Sequence, residues 1–152
     1  MKARRAALAR PAVFGIGDGC MSIVGVILYL LGDPRVIFAT VLAGSISAAL
    51  SMAGNDYLSD SDDGLLPSAV MGLATFAGGI APALPFLFTR GRLALILMGV
   101  ICLLLGVLVG VIRAQAATRH SFRVVFAGTL AIFALIFGAV LAVALGLPSP
   151  AG

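Results

Sequence analysis

Five apolar stretches, separated by short polar segments, make up most of this 152-residue chain. They cover approximately residues 12–31, 36–53, 65–88, 93–112 and 124–147. Each holds about 18 to 24 residues, enough for a helix to cross a hydrocarbon core of roughly 30 Å. A backbone in lipid must satisfy its own hydrogen bonds, so the pattern predicts five transmembrane α-helices. We therefore expect an all-α, polytopic membrane helix bundle, with residues 1–152 forming a single domain.

The polar segments between the stretches have the residues of tight turns. Gly32-Asp-Pro-Arg35 follows the first stretch, Thr89-Arg-Gly-Arg92 follows the third, and Pro148 with Pro150 ends the last. Two further prolines, in Gly78-Gly-Ile-Ala-Pro-Ala-Leu-Pro85, lie within the third stretch. They are expected to kink that helix, which either lines a cavity there or bends within a packed bundle.

Composition supports the membrane interpretation. Hydrophobic residues make up 61% of the chain and charged residues 11%, which is too few to cover a soluble domain of this size. The net charge of +4 comes from Lys and Arg in short loops without interleaved aromatic residues, so no nucleic-acid partner is expected. A cleavable signal peptide is not expected, because the first stretch is long and no small-x-small site follows it.

Basic residues predict the orientation in the membrane. Seven Lys and Arg residues fall on the side of the N-terminus and the fourth-to-fifth loop, against three on the other side. The excess predicts a cytoplasmic N-terminus and a C-terminus outside or in a lumen. Without an organellar targeting segment, a prokaryotic inner or plasma membrane is the expected location.

Asp18 is the first candidate functional residue, because it lies inside the first apolar stretch. The pattern places it roughly 9 Å beyond the helix start. A carboxylate at a membrane-helix centre costs about 2.5–3.5 kcal/mol, so a cation, water or a proton must offset the charge. Glycines at 15, 17, 19 and 25 leave room for another backbone or a hydrated ion. The alternative is a helix that begins later and leaves Asp18 as an interfacial cap.

A second candidate group lies at the end of the second stretch. Residues four apart share a helix face, and this face carries Gly44, Ala48, Met52 and Asp56. A thioether beside carboxylate oxygens suits a borderline divalent ion such as ferrous iron better than magnesium or calcium. Met52 alone is more often a packing residue. Nearby oxygen donors add candidates for an ion path, namely Ser22, Ser51 and Asn55.

The segment after the second stretch is acidic, with Asp56, Asp60, Asp62 and Asp63. Such a segment either attracts cations to a pore mouth or forms a solvated turn. It lacks the glycine and glutamate of an EF-hand loop.

Other kinds of site are not supported by the residues present. The chain has no Glu, a single His at position 120, and two cysteines, Cys20 and Cys102, in separate stretches. A Ser-His-Asp hydrolase, a His-rich metal site and a CxxC site are therefore not predicted. We expect no enzyme and no bound cofactor. The Gly106-x-x-x-Gly110 spacing favours helix packing within the chain over a dimer seam.

Three segments together resemble the vacuolar iron transporter family. They are Asp18-Gly-x-x-Ser-x-x-Gly25, Ala49-Leu-Ser-Met-Ala-Gly-Asn-Asp-Tyr-Leu-Ser59 and Gly79-Ile-Ala-Pro-Ala-Leu-Pro85. Their order, their spacing and the five-helix frame match across nearly the whole chain, although the last two stretches match only in general character.

The resemblance implies a homodimeric transporter that moves ferrous iron, and often manganese, out of the cytosol in exchange for protons. Positions matching Asp18 and Met52 lie on the ion path in that family, and Asp56 stands where bacterial members commonly carry a glutamate. The implied partners are a divalent metal ion, protons, the lipid bilayer and a second copy of the chain.

Two departures from the family pattern favour other functions. Gly44 stands where members usually have a glutamate, and the link from Tyr57 to Gly64 is too short for their cytoplasmic metal-binding segment. The alternatives are a non-transporting membrane scaffold with the same frame, or a transporter of a different substrate.

Overall fold

The computed structural model describes residues 2–30, 33–59, 65–116 and 121–146. Its elements, in chain order, are α1 (Lys2–Tyr29), α2 (Pro34–Ser59), α3 (Leu65–Ile80), a 3-10 turn (Ala81–Ala83), α4 (Pro85–Phe88), α5 (Gly91–Ala116) and α6 (Phe122–Gly146). The part described contains five segments that are long and apolar enough to cross a membrane, the third of which combines α3, the turn and α4. The prediction of an all-α bundle with five transmembrane helices is confirmed, and the chain is an integral membrane protein.

Helix α1 begins earlier than the hydropathy pattern predicts. It starts at Lys2 and contains Pro11, and its membrane-spanning part is Leu8–Tyr29. Pro11 removes one backbone hydrogen bond and its ring crowds the preceding turn, but the alanine-rich residues before it are strong helix formers and the helix continues through it. Asp18 therefore lies about 15 Å into the span, near its middle rather than 9 Å from its start. The alternative that Asp18 is an interfacial cap is wrong.

Helix α2 also exceeds its expected length, because it continues to Ser59 instead of ending near residue 53. No proline follows Pro34 in this helix to stop it. Asn55 and Asp56 are consequently helical residues and not part of a loop.

Pro82 and Pro85 interrupt the helix of the third crossing, as expected. After Ile80 the chain forms the 3-10 turn Ala81–Ala83 and resumes an α-helix at Pro85. Pro82 and Pro85 are both buried. Of the two readings of this segment, burial supports a bend within the packed bundle.

Glycines bring α1 and α3 into backbone contact. A Cβ atom added at Gly15 would overlap the carbonyl oxygen of Met71, and one added at Gly19 would overlap that of Thr75. Contacts advance in the same direction along both chains, from Gly15 and Met71 to Gly19 and Thr75, so α1 and α3 run parallel. The predicted use of glycines in α1, close approach of another backbone, is confirmed at these two positions.

Helix α2 packs antiparallel on the neighbouring face of α3. A Cβ atom at Gly72 would lie 2.9 Å from the carbonyl oxygen of Ala49, and one at Gly79 would lie 2.5 Å from Ser45 Oγ. Helix α3 therefore lies between α1 and α2, and its small residues set the distance to both.

Helices α5 and α6 are also antiparallel. Phe133 covers Gly106, with its ring 3.1 Å from a Cβ placed there, and Phe126 covers Gly110 at 3.0 Å. This glycine pair packs within the chain, as predicted. The N-terminal end of the bundle thus holds the start of α1, and the opposite end holds the starts of α2 and α5. Which end faces the cytoplasm stays a prediction.

Candidate functional site

Asp18 lines a cavity between α1, α5 and α6. The cavity has a volume of about 310 Å³, and its other polar side chains are Arg113 and Thr129. Thr129 Oγ1 donates a hydrogen bond to the carbonyl oxygen of Val125 at 2.8 Å, so this hydroxyl is satisfied within its own helix. No salt bridge within 4.0 Å joins Asp18 and Arg113 in the described structure. The carboxylate is half-buried, and its oxygens remain available to a cation or a proton.

The side chain of Asp18 points away from α2. Ile23 contacts that helix, because a Cβ atom at Gly44 would lie 3.4 Å from Ile23 Cδ1. Five residues separate Asp18 from Ile23, which places the two side chains about 140° apart around α1. One chain therefore does not bring Asp18 together with Met52 of α2, although the sequence suggested that they are neighbours.

The outer face of α1 continues from Asp18 along the helix. Ser22 lies one turn further on and is exposed, and Phe14, one turn earlier, is 55% exposed. Three consecutive turns of this face thus carry an aromatic ring, a carboxylate and a hydroxyl that the chain itself leaves partly or largely uncovered.

The second candidate group lies on α2, toward the N-terminal end of the bundle. Met52 and Asp56 are half-buried. Ser68 Oγ, on α3, donates a hydrogen bond of 2.8 Å to Asp56 Oδ2. This bond fixes one carboxylate oxygen, and the other oxygen has no hydrogen bond among the described residues. Asp56 can therefore still bind a cation in a defined orientation.

Ser51 and Asn55 lie on the side of α2 that faces α1. They lie within about 20° of Gly44 around α2, on the side that contacts α1. Gly44 touches Ile23, whereas Ser51 and Asn55 are exposed. The amide of Asn55 lies 3.5 Å from Ser51 Oγ, a long contact that leaves both groups available to other partners.

Sequence reasoning did not identify two polar residues near these groups as parts of a site: Ser68 and Arg113. Ser68 belongs to a face of α3 that repeats small or polar residues at 68, 72, 75 and 79, and this spacing is visible in the sequence. Arg113 was counted only for orientation. Ser45, a further oxygen donor on α2, is fully buried, and its Oγ has no hydrogen-bond partner in the described part of the chain.

Replacing Ser68 by alanine should lower the free energy of unfolding by roughly 1.5–3 kcal/mol, the usual worth of a hydrogen bond to a charged group. Thermal unfolding of the purified protein in detergent measures this loss. Ser47→Ala is the matched control, since Ser47 is exposed on α2. Equal melting temperatures for the two variants would show that the Ser68–Asp56 bond does not stabilise the bundle.

Other candidate ligands do not assemble into a cluster. Within the described ranges, no three His, Cys, Asp or Glu side chains lie close enough to hold a metal ion together. Cys20 and Cys102 are free, buried and line one apolar cavity between α1, α5 and α6. Asp60, Asp62, Asp63 and His120 lie outside the described residues.

Comparisons of the chain with protein-family models, with curated proteins and with solved structures found no match. Its function is therefore argued from the residues and their geometry.

Proposed function

We propose that this protein is a proton-coupled transporter of a divalent metal ion, ferrous iron or manganese, related in frame to the vacuolar iron transporters. One observation carries the proposal: Asp18 lies near the middle of a membrane-spanning helix, half-buried and without a salt bridge to the Arg113 that shares its cavity. A charge at this depth is costly, and such residues in membrane helices commonly serve ions or protons.

The working unit in this proposal is a homodimer. The carboxylate of Asp18 and the hydroxyl of Ser22 lie on an outer face of α1, and lipid there would leave the carboxylate poorly solvated. A second copy packed on this face supplies the missing surroundings and places two Asp18 carboxylates near one path. The site is therefore incomplete in one chain, in which Asp18 and Met52 do not meet.

The α2 group then serves the approach to the path. Met52 offers a thioether, Asp56 one uncommitted carboxylate oxygen, and Ser51 and Asn55 neutral oxygens on the exposed surface of α2. This donor set suits ferrous or manganous ion, with the thioether favouring iron. Metal binding requires a deprotonated carboxylate, so a proton and a metal ion compete at Asp18. With the N-terminal end in the cytoplasm, metal leaves the cytosol as protons enter.

Metal-induced thermal stabilisation tests the proposal. A ligand at a hundred times its Kd adds about 2.7 kcal/mol to the native state, so Mn²⁺ should raise the melting temperature by several degrees and Mg²⁺ should not. Met52→Leu should reduce the shift caused by Fe²⁺ more than the shift caused by Mn²⁺. It should cost little stability, because the exchange nearly conserves volume. Met98→Leu, in the buried core of α5, is the control and should retain the full shift. Identical curves with and without Mn²⁺ would contradict metal binding.

Arg113 favours a second candidate, a membrane scaffold without transport. Arg113 lines the cavity of Asp18, and its charge offsets that of the aspartate at long range without any ion. Gly44, at the position where a glutamate was expected, points the same way. The candidates differ in the stability of an Asp18→Asn variant, which a scaffold with a structural Asp18–Arg113 pair predicts to fall.

A further inference from the structure

Three arginines meet at the opposite end of the bundle, away from the proposed metal path. Arg35 at the start of α2 and Arg90 and Arg92 beside the start of α5 line one cavity of about 690 Å³. Gly91 between the last two has a φ of 61°, a left-handed conformation that glycine adopts without strain. This turn lets Arg90 and Arg92 flank the same cavity.

The cavity has a net positive charge. Among the described residues, Asp33 is its single acidic lining residue. Asp33 Oδ1 accepts a 2.9 Å hydrogen bond from the backbone N–H of Arg35, which caps α2. No salt bridge within 4.0 Å engages any of the three guanidinium groups in the part of the chain described. Two 26-residue helices, α2 and α5, also begin here and direct the positive ends of their dipoles toward the cavity.

The floor of the cavity is apolar. Ile37 is 1% exposed and Phe86 is 6% exposed, and Leu95 lies beside them. The adjoining surface presents Leu87 and Phe88, both largely exposed. A ring of cationic groups above an apolar surface matches an amphiphile with a phosphate head and a hydrocarbon chain.

We infer that the cavity of Arg35, Arg90 and Arg92 binds a phosphate group. Guanidinium groups pair with phosphate oxygens through two parallel hydrogen bonds, and the two helix N-termini add to the attraction. The phosphate comes from one of two sources, the headgroup of an anionic membrane lipid or free phosphate in solution. The exposed apolar side chains of Leu87 and Phe88 beside the cavity favour the lipid. The inference uses no residue of the metal path and stands independently of the proposed transport function.

The test measures thermal stability of the full chain in neutral detergent with added phosphatidylglycerol, phosphatidylcholine or inorganic phosphate. Phosphatidylglycerol should raise the melting temperature by roughly 4 °C or more at saturation, and phosphatidylcholine should have little effect. The triple variant R35Q/R90Q/R92Q should weaken the apparent affinity for phosphatidylglycerol at least about tenfold, because several charge-assisted hydrogen bonds are lost. All three side chains are exposed, so the variant is expected to fold.

Two controls separate the sources and the role of geometry. Arg123→Gln removes an exposed arginine at the other end of the bundle and should leave the response unchanged. R35K/R90K/R92K keeps the charge but loses the paired hydrogen bonds, and should respond less than the native chain and more than the glutamine variant. A response to inorganic phosphate equal to that to phosphatidylglycerol supports the site and assigns it to free phosphate. Equal responses to the two lipids, or an unchanged response in the glutamine variant, would overturn the inference.

Discussion

Asp18→Asn should reduce metal transport to the level of protein-free vesicles. Asparagine keeps the size of the side chain but has neither the negative charge that attracts a divalent ion nor the group that takes up a proton. Among the described residues, the cavity around Asp18 offers no substitute, because its one other charged lining residue is the cationic Arg113. Initial rates of Mn²⁺ uptake into proteoliposomes measure the effect.

The thermal stability of the same variant separates transport from a structural role. An uncompensated aspartate at the membrane centre is costly, so Asp18→Asn should melt at the same temperature as the native chain or higher. Asp33→Asn is the matched control, since asparagine also caps helices well and Asp33 lies at the opposite end. Native transport by Asp18→Asn would exclude Asp18 from the path. A lower melting temperature would favour the scaffold.

Gly19→Ala should cause the largest loss of stability of any single methyl group added to the bundle. The new Cβ would overlap the carbonyl oxygen of Thr75 and lie 2.8 Å from the amide nitrogen of Gly79, both of them backbone atoms that cannot rotate away. Helices α1 and α3 must then separate, at a cost of roughly 1–3 kcal/mol or more. This loss outweighs the gain of up to about 1 kcal/mol that alanine usually brings to a helix.

Gly128→Ala is the control for the glycine variant. A Cβ atom at Gly128 would meet no atom within 4 Å, so the helix-forming preference of alanine acts alone there and stability should hold or rise. Melting temperatures of the two purified variants in the same detergent make the comparison. Equal values would show that the close approach of α1 and α3 does not limit stability.

The helices were predictable because hydropathy over about 20 residues is a strong signal. The ends of the helices were harder to predict. Residues 2–7 and 54–59 are helical although they are too polar to belong to the apolar stretches. Hydropathy reports contact with lipid, whereas a helix continues wherever its backbone hydrogen bonds continue. Because α1 begins before the apolar stretch does, Asp18 lies near the middle of its span and not near the start.

The candidate site was less predictable, because it depends on which faces meet. Spacing along α2 placed Met52 and Asp56 on one face, and the structure shows that Ser68 of α3 bonds to Asp56. The spacing of residues within α1 cannot show that Asp18 points away from α2. That direction depends on the contact of Gly15 and Gly19 with the backbone of α3. Arg113 is distant in sequence from Asp18, and only the packing of α5 brings it to the same cavity.

The central claim, exchange of a divalent metal ion for protons, is tested most directly by Mn²⁺ flux in proteoliposomes with an imposed pH gradient. The account predicts that an acidic interior accelerates Mn²⁺ entry through the native protein, with alkalinisation of the interior as protons leave, and that reversing the gradient slows entry. Mn²⁺ flux that matches protein-free vesicles under both gradients would contradict it.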